Sequence, residues 1–262
     1  MAKDQTVLFN STIFGPIHSR RLGTSLGINL SPVDGKVCSF DCLYCEAGFN
    51  SQGAGKAGLP DAKRVLEDLE NVLADMKKKG ENLDVITFSG NGEPTLHPKF
   101  PEIVDGVLSL RDKYFPEAKV SVLTNSTRIF SDRVAEALKK VDNNILKLDS
   151  AVEETMRLID RPNDKDFTVK QTIEALKQFS REGIIQTMIL RGSHNGRPVD
   201  NTTEEEIAAL IDAYKEIMPA SVMLYSLDRS TPEEKLIKVE KNELLEIADK
   251  IRNATGLKID VY

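Results

Sequence analysis

"DAKRVLEDLENVLADMKKKGENLDVITFSG" (residues 61–90) contains a helical pattern that is followed at once by the pattern of a buried strand. Within 61–80 the apolar residues recur every three or four positions, and lysines gather before Gly80, where the helix dipole favours them. Within 83–90 the apolar residues mostly do not alternate with polar ones, which is typical of a strand buried on both faces of a parallel sheet. The stretch therefore predicts one helix–strand unit of an α/β fold.

The same unit recurs along the chain. Further strands are predicted at 25–32, 118–125, 143–151, 183–192 and 220–228, and further helices at 100–114, 131–141, 166–183, 202–218 and 241–256. Six strand–helix units in a row predict one parallel sheet. A doubly wound sheet and an incomplete (β/α) barrel both fit this order, and either fold gathers ligands at the carboxyl ends of its strands.

The composition narrows the class of protein. The 262 residues are 40% hydrophobic and 29% charged with a net charge of −6, as expected for a globular protein with a sizeable core. There is no run of about 18 apolar residues to predict a membrane span, and the N-terminus lacks the pattern of an export signal. The acidic balance argues against a protein that coats nucleic acid. We expect a cytoplasmic protein without a membrane partner.

All three cysteines lie in "CSFDCLYC" (38–45), after the first predicted strand. Cys38, Cys42 and Cys45 are too close together for a useful disulfide framework, whereas soft ligands in one loop suit zinc or an iron–sulfur cluster. A structural zinc site needs a fourth ligand, and none of the three histidines lies at the spacing of a zinc knuckle. The alternative is a four-iron cluster held by three thiolates, which leaves one iron open to a small molecule.

The spacing C-x3-C-x2-C, with the aromatic Tyr44 before the last cysteine, resembles the signature of radical S-adenosylmethionine (radical SAM) enzymes. The resemblance implies that Cys38, Cys42 and Cys45 hold a [4Fe-4S] cluster and that S-adenosylmethionine binds the open iron. It implies reductive cleavage of this cofactor to a 5′-deoxyadenosyl radical, which abstracts hydrogen from a substrate. It also implies a reductant such as flavodoxin or ferredoxin.

The resemblance implies a fold as well, a partial (β/α)6 TIM-like barrel of the radical SAM type. We expect residues 1–262 to form a single core domain of this kind. Within it we expect an N-terminal extension at 1–24, the barrel strands within 25–228 and a C-terminal helical region at 229–262.

Two strand ends carry residues that the resemblance assigns to the cofactor. Gly92, Glu93 and Pro94 in "FSGNGEPTLHP" (88–98) match the family's Gly-Glu-Pro element, which binds the cofactor's amino group. A helix-starting turn is the structural alternative. Asn125 and Ser126 end the third predicted strand, where relatives bind the cofactor's ribose or carboxylate. A polar turn before the next helix is the alternative there.

Asp149 follows Lys147 by two residues on the fourth predicted strand, so their side chains share one face. Polar residues that interrupt an apolar strand are costly unless they are used or solvated. Relatives often use such a residue for the ribose or carboxylate of the cofactor, and we expect Asp149 to do so. A structural ion pair with Lys147 is the alternative.

The runs "HSRRLGTSLGINLSP" (18–32) and "YSLDRSTPEE" (225–234) resemble a radical SAM subgroup that contains wyosine-forming tRNA enzymes and many Fe–S oxidoreductases. Known wyosine enzymes of this type carry further cysteines for a second cluster, and this chain has none. A wyosine-like reaction on tRNA, glycyl-radical activation of a protein and a reaction on a small molecule stay open, as does a non-enzymatic zinc-binding protein. The sequence leaves open the roles of four polar residues near predicted strand ends or loops: Arg20, Arg21, Arg191 and His194.

Overall fold

The computed structural model describes residues 7–19 and 23–262. Its strands are β1 Ile13–Ser19, β2 Gly23–Ile28, β3 Val85–Phe88, β4 Lys119–Thr124, β5 Asn143–Lys147, β6 Ile184–Met188, β7 Leu190–His194, β8 Arg197–Asp200, β9 Ser221–Tyr225, β10 Leu236–Lys238 and β11 Ile259–Val261. Its α-helices are α1 Ala62–Lys79, α2 Phe100–Tyr114, α3 Asp132–Lys140, α4 Glu153–Ile159, α5 Val169–Leu176, α6 Glu204–Ile217 and α7 Lys241–Thr255.

Eight strands form the main sheet in the order β1-β2-β3-β4-β5-β6-β9-β11. β1 runs antiparallel to β2, and every other neighbouring pair in this sheet is parallel. The six predicted strands are β2, β3, β4, β5, β6 and β9, which lie side by side in chain order. This order confirms the predicted α/β fold with a partial (β/α)6 barrel.

Helix α1 shows how the local sequence sets the ends of an element. The carboxylate of Asp61 accepts hydrogen bonds from the backbone N–H groups of Lys63 and Arg64 and so caps the first turn. Gly80 ends the helix with φ of 70°, a conformation that favours glycine. The apolar face is buried through Val65, Leu69, Leu73 and Met76. Within the described ranges no helix is both long and apolar enough to cross a membrane.

The parallel strands separate an apolar face from a polar one. The residues that face the helices belong to the main core: Leu26, Ile86, Val120, Leu146, Ile185 and Val222. Side chains alternate along a strand, so the inside of the barrel is lined by the other set, with the polar members Ser25, Thr87, Ser121, Asn143, Lys147 and Gln186. Both faces of the sheet are largely buried, as predicted, and the face toward the helices is mainly apolar, with Asn144 and Thr187 as buried polar exceptions.

The structure also contains elements that the sequence pattern did not indicate. The predicted strand 183–192 is two strands, because β6 ends at Met188 and β7 starts a second, three-stranded sheet in the order β10-β7-β8. Helix α4 buries Met156 and Ile159, a pattern too short to stand out in the sequence. Residues 229–262 hold β10, α7 and β11. The division into extension, barrel and C-terminal region stays a prediction.

Candidate cluster and cofactor site

The cysteine loop, residues 35–50, lies at the carboxyl ends of the parallel strands. Cys42 is buried, Cys38 and Cys45 are half-buried, and all three are free thiols. One side of the loop pairs with the segment after β3. There the N–H of Val37 donates to the carbonyl of Asn91 at 3.1 Å, and the N–H of Glu93 donates to the carbonyl of Val37 at 3.0 Å. This bridge places Cys38 beside the predicted Gly-Glu-Pro element.

Gly92 makes this close approach possible. Its φ is 151°, and a Cβ atom at this position would lie 1.9 Å from the carbonyl oxygen of Val37 and 2.8 Å from Oγ of Ser31. No side chain fits there unless the cysteine loop moves. The residue that the family resemblance assigns to the cofactor is therefore needed, in the first place, to pack the cysteine loop.

The other side of the cysteine loop pairs with residues 159–163, which end and follow α4. The N–H of Leu43 donates to the carbonyl of Ile159 at 2.9 Å, and the N–H of Asn163 donates to the carbonyl of Ser39 at 2.9 Å. The amide of Asn163 also donates to the carbonyl of Cys38 at 3.0 Å. The sequence reasoning missed this segment, although "DRPN" (160–163) combines a proline with polar residues, which is a turn signal.

A buried lysine joins the two ends of the cysteine loop. Lys36 Nζ donates to the carbonyl of Gly48 at 2.7 Å and lies 3.7 Å from Oδ1 of Asp41. Asp41 also accepts from the N–H of Asn50 at 2.6 Å and pairs with Arg161 at 3.2 Å. A buried ammonium group is tolerated only when it is paired and hydrogen-bonded. These contacts satisfy Lys36 and fix the loop around the cysteines.

Nitrogen donors lie next to two of the three sulfur atoms. Asn125 Nδ2 is 3.6 Å from Cys38 Sγ, and Lys147 Nζ is 3.7 Å from Cys42 Sγ. Burial, with a further contribution from Glu93, raises the pKa of Cys38 to about 11. Burial also raises the pKa of Cys42 well above its usual value, against the opposing effect of Lys147. The thiols of Cys38 and Cys42 are therefore protonated at neutral pH, and metal binding must release their protons.

Glu93 is buried and joins the end of β3 to the end of β4. Its Oε1 accepts from the N–H and hydroxyl of Thr95 at 3.1 and 2.6 Å and from the hydroxyl of Thr124 at 2.7 Å. Its Oε2 accepts from the N–H of Asn125 at 2.7 Å and can accept a further hydrogen bond. Burial raises the pKa of Glu93, and these donors oppose the shift. Pro94 is buried and begins a 3-10 turn, Pro94–Leu96, so the structural alternative for this element is present as well.

Asn125 and Ser126 both have protein partners. Asn125 Nδ2 donates to Ser39 Oγ at 2.9 Å, and its Oδ1 accepts from the N–H and hydroxyl of Thr127 at 3.1 and 2.8 Å. Ser126 is buried with φ of 69°, and its hydroxyl donates to the carbonyl of Lys147 at 3.2 Å. Asn125 thus borders the cysteine loop, and Ser126 ties the end of β4 to β5.

Tyr44, Lys147 and Asp149 form one network beside Cys42, in which Asp149 is buried and the other two side chains are half-buried. The hydroxyl of Tyr44 donates to Asp149 and accepts from Lys147. Lys147 Nζ lies 3.0 Å from Oδ2 of Asp149, so the ion pair given above as the alternative is present. Oδ1 of Asp149 accepts from the N–H of Met188 at 2.8 Å. Burial lowers the pKa of Lys147, but Asp149 and Cys42 outweigh it and raise that pKa well above its usual value.

The donor chemistry of the cysteine loop fits a cluster. Across the residues that the structure describes, no three His, Cys, Asp or Glu side chains converge on a single metal ion. Three thiols in one loop, with nitrogen donors at two of the sulfurs, match a four-iron cluster with an open iron better than a closed zinc site. Hydrogen bonds to sulfur are a common means of tuning such clusters.

Of the four residues whose roles the sequence left open, Arg191 and His194 lie on β7. Arg191 pairs with Glu243 and donates to the hydroxyl of Thr202 at 2.7 Å. His194 Nδ1 is 2.6 Å from Oε2 of Glu233, and the N–H of Glu233 donates to the carbonyl of Leu43 in the cysteine loop at 3.3 Å. His194 thus braces the segment that contacts the loop. Both Arg20 and Arg21 lie outside the described residues.

Residues 33–212 match the profile of the Radical SAM superfamily, from just before the cysteine loop into α6. This chain belongs to the radical SAM superfamily. Among its relatives, a UPF0026 protein of Methanocaldococcus jannaschii is 34% identical over 237 residues, which cover 88% of this chain and 68% of that protein. The radical SAM chain also resembles a Brachyspira hyodysenteriae protein named GTPase Obg, with 31% identity over 264 residues. That match covers 99% of this chain but 36% of the Obg protein.

Solved radical SAM structures share the fold. A radical SAM methyltransferase from Sphaerobacter thermophilus superposes with a TM-score of 0.66 at 14% identity, covering 91% of this chain and 65% of that one. TYW1 with a lysine-pyruvate adduct bound superposes with a TM-score of 0.62 at 16% identity, and the match covers 91% of this chain and 76% of the TYW1 chain. At these identities the likeness shows the fold alone. Superfamily membership makes the chain a radical SAM enzyme, and it leaves the substrate open.

Proposed function

We propose that Cys38, Cys42 and Cys45 bind a [4Fe-4S] cluster whose open iron takes S-adenosylmethionine. The observation that carries this proposal is the cysteine loop, which is held between residues 91–93 and 159–163 and has nitrogen donors at two sulfurs. The reduced cluster would supply the electron that cleaves the cofactor to a 5′-deoxyadenosyl radical, which abstracts hydrogen from the substrate. The protein binds the cluster, orients the cofactor and substrate, and excludes water.

The residues around the loop supply different parts of the cofactor site. Gly92, Glu93 and Pro94 border it on the β3 side, and the free capacity of Oε2 of Glu93 supports a contact with the cofactor's amino group. Asn125 and Ser126 border it at the end of β4. On the β5 side, Oδ2 of Asp149 accepts from Tyr44 and Lys147 and holds both side chains in place. Its Oδ1 accepts the N–H of Met188 and, like Oε2 of Glu93, supports a further contact, here with the cofactor's ribose.

The inner face of the barrel supports a substrate that presents uncharged polar groups. Its polar lining is formed mainly by hydroxyls and amides, and some of these pair with each other, as when Asn143 donates to Ser121 at 2.9 Å. Such a lining offers donors and acceptors without a fixed charge. A small molecule, a protein segment and a tRNA base all satisfy this description. We assign the electron supply to a flavodoxin or a ferredoxin, and the protein to the cytoplasm, where thiols stay reduced.

Cysteine replacement tests the cluster assignment. Cys42→Ala should abolish the brown visible absorbance and the bound iron and sulfide of anaerobically reconstituted protein, because three thiolates are needed to hold four irons. Formation of 5′-deoxyadenosine with dithionite should be lost as well. Ser51→Ala, at an exposed position just beyond the loop, is the matched control and should keep both. Normal cofactor cleavage by Cys42→Ala, or zinc without iron in the wild type, would refute the proposal.

A deuterium-transfer experiment identifies the substrate class. Deuterated candidates of three kinds are incubated with reconstituted enzyme, cofactor and dithionite: a small-molecule pool, a cellular protein fraction and a tRNA fraction. Mass spectrometry then measures deuterium in 5′-deoxyadenosine. The fraction that transfers deuterium contains the substrate, because the radical takes hydrogen directly from it. Transfer from none of the three classes would refute hydrogen abstraction as the reaction.

A further inference from the structure

Lys147 is a half-buried cation at the site, and the binding of cluster and cofactor gives it no direct role. Its side chain is 14% exposed, at the carboxyl end of β5 on the inner face of the sheet. Transfer of an ammonium group from water into such a position costs several kcal/mol unless partners offset it. Asp149 at 3.0 Å and Asp160 at 3.5 Å supply two partners, and Oδ1 of Asp160 also lies 3.5 Å from Sγ of Cys42. Pairing with a carboxylate would explain why a lysine is tolerated here. It does not explain why the amine of Lys147 also lies next to a cysteine sulfur.

The amine points at the cysteine loop. Lys147 Nζ lies 3.7 Å from Sγ of Cys42 and 4.5 Å from the centre of the Tyr44 ring, and it donates to the Tyr44 hydroxyl. Cys42 and Tyr44 belong to the same loop, so the position of the amine is fixed relative to the sulfur. The hydroxyl of Ser126 holds the backbone carbonyl of Lys147 at 3.2 Å and so fixes the strand from which the side chain starts.

We infer that Lys147 is a positioning residue that raises the reduction potential of the cluster, an inference that rests on the proposed function. Reduction adds one electron to the cluster. A cation and an N–H donor next to a ligand sulfur stabilise the more negative, reduced form, and the low dielectric of a buried site strengthens this effect. Lys147 therefore makes the cluster easier to reduce by a given electron donor.

A rival role for Lys147 is to bind the carboxylate of the cofactor. That role predicts a loss of cofactor affinity on replacement and no change in the potential of the cluster measured without cofactor. The two roles are therefore separated by a redox titration of the reconstituted protein in the absence of S-adenosylmethionine.

The test is a redox titration followed by electron paramagnetic resonance on wild type, Lys147→Met and Lys147→Arg. Lys147→Met removes the charge and the donor while keeping a stem of similar shape. It should lower the ratio of reduced to oxidised cluster at least tenfold at a fixed potential, which corresponds to about 59 mV for one electron. Lys147→Arg, which keeps the charge, should stay within about threefold of the wild type. Lys250→Met, on the exposed surface of α7, is the control, and the reduction potential of its cluster should equal that of the wild type.

Iron and sulfide are quantified for every variant. If Lys147→Met does not retain iron, Lys147→Gln takes its place, because the amide keeps a donor for Asp149 while losing the charge. The ratio of reduced to oxidised cluster in Lys147→Gln should be at least threefold lower than in the wild type at the same potential. An unchanged potential in a fully loaded Lys147→Met or Lys147→Gln overturns the inference and leaves the proposed function intact. A wild type that holds no reducible cluster overturns both.

Discussion

Replacing Gly92 by alanine should release the cysteine loop from the sheet. The added Cβ would sit 1.9 Å from the carbonyl oxygen of Val37, so either the loop or residues 91–93 must move. That movement breaks the two bridge hydrogen bonds, Val37 to Asn91 and Glu93 to Val37. Each is worth about 1 kcal/mol, and a non-glycine residue at φ of 151° adds about 1–3 kcal/mol of backbone strain. The free energy of unfolding should fall by about 3–5 kcal/mol.

The assay is urea and thermal unfolding of the metal-free protein, followed by iron analysis after reconstitution. For a chain of this size the expected loss corresponds to a Tm lower by roughly 10 °C. Iron content should fall as well, because Cys38 follows Val37 directly and moves with it. Gly80→Ala is a matched control, since Gly80 also has positive φ but nothing lies within 4 Å of its added Cβ. It should cost about 1–2 kcal/mol and leave iron binding unchanged. If the two variants are equally stable, the steric reasoning is wrong.

Two further predictions concern packing and pH. Leu43→Ala empties a fully buried position in the cysteine loop and should lower the free energy of unfolding, measured in urea, by about 2–5 kcal/mol. Leu245→Ala, at a 42% exposed site on α7, is the control and should change it by about 0.5 kcal/mol or less. Similar losses for both variants would contradict the packing described. Burial raises the pKa of Glu206, so the stability that this group contributes is present below its unfolded pKa and is lost as pH rises through the folded pKa. Glu206→Gln can still accept the hydrogen bond that Ser150 donates at 2.6 Å, but it carries no charge. The urea midpoint of this variant should therefore rise relative to that of the wild type as the pH increases from 4 to 7. A relative fall over this pH range would show that the pKa of Glu206 is not raised.

Much of the fold could be predicted because its signals are local. Helix α1 is encoded within twenty residues by its apolar spacing, its Asp61 cap and its terminal Gly80. The six central strands stand out for the same reason, since each buries a short apolar run. Helix α4 and the β7-β8-β10 sheet were not predicted. Their apolar patterns are short, and what stabilises them is contact with distant parts of the chain.

The candidate site divides in the same way. The spacing of Cys38, Cys42 and Cys45 and the resemblance it carries lie within eight residues, so the sequence alone indicated the superfamily, and it predicts these three residues as the cluster ligands. The sequence also indicated that strand ends would converge on this loop, since parallel strands present their carboxyl ends at one edge.

Only the tertiary structure decided which atoms each side chain contacts there. It gives Gly92 its role as the contact point for Val37, and it brings Lys147 to within 3.7 Å of Cys42 across 105 positions of chain. It also places residues 159–163 against the cysteine loop. Periodicity reports which face of an element is buried. Which atoms meet across that face depends on strand register and loop path, and these are set by the packing of the whole chain.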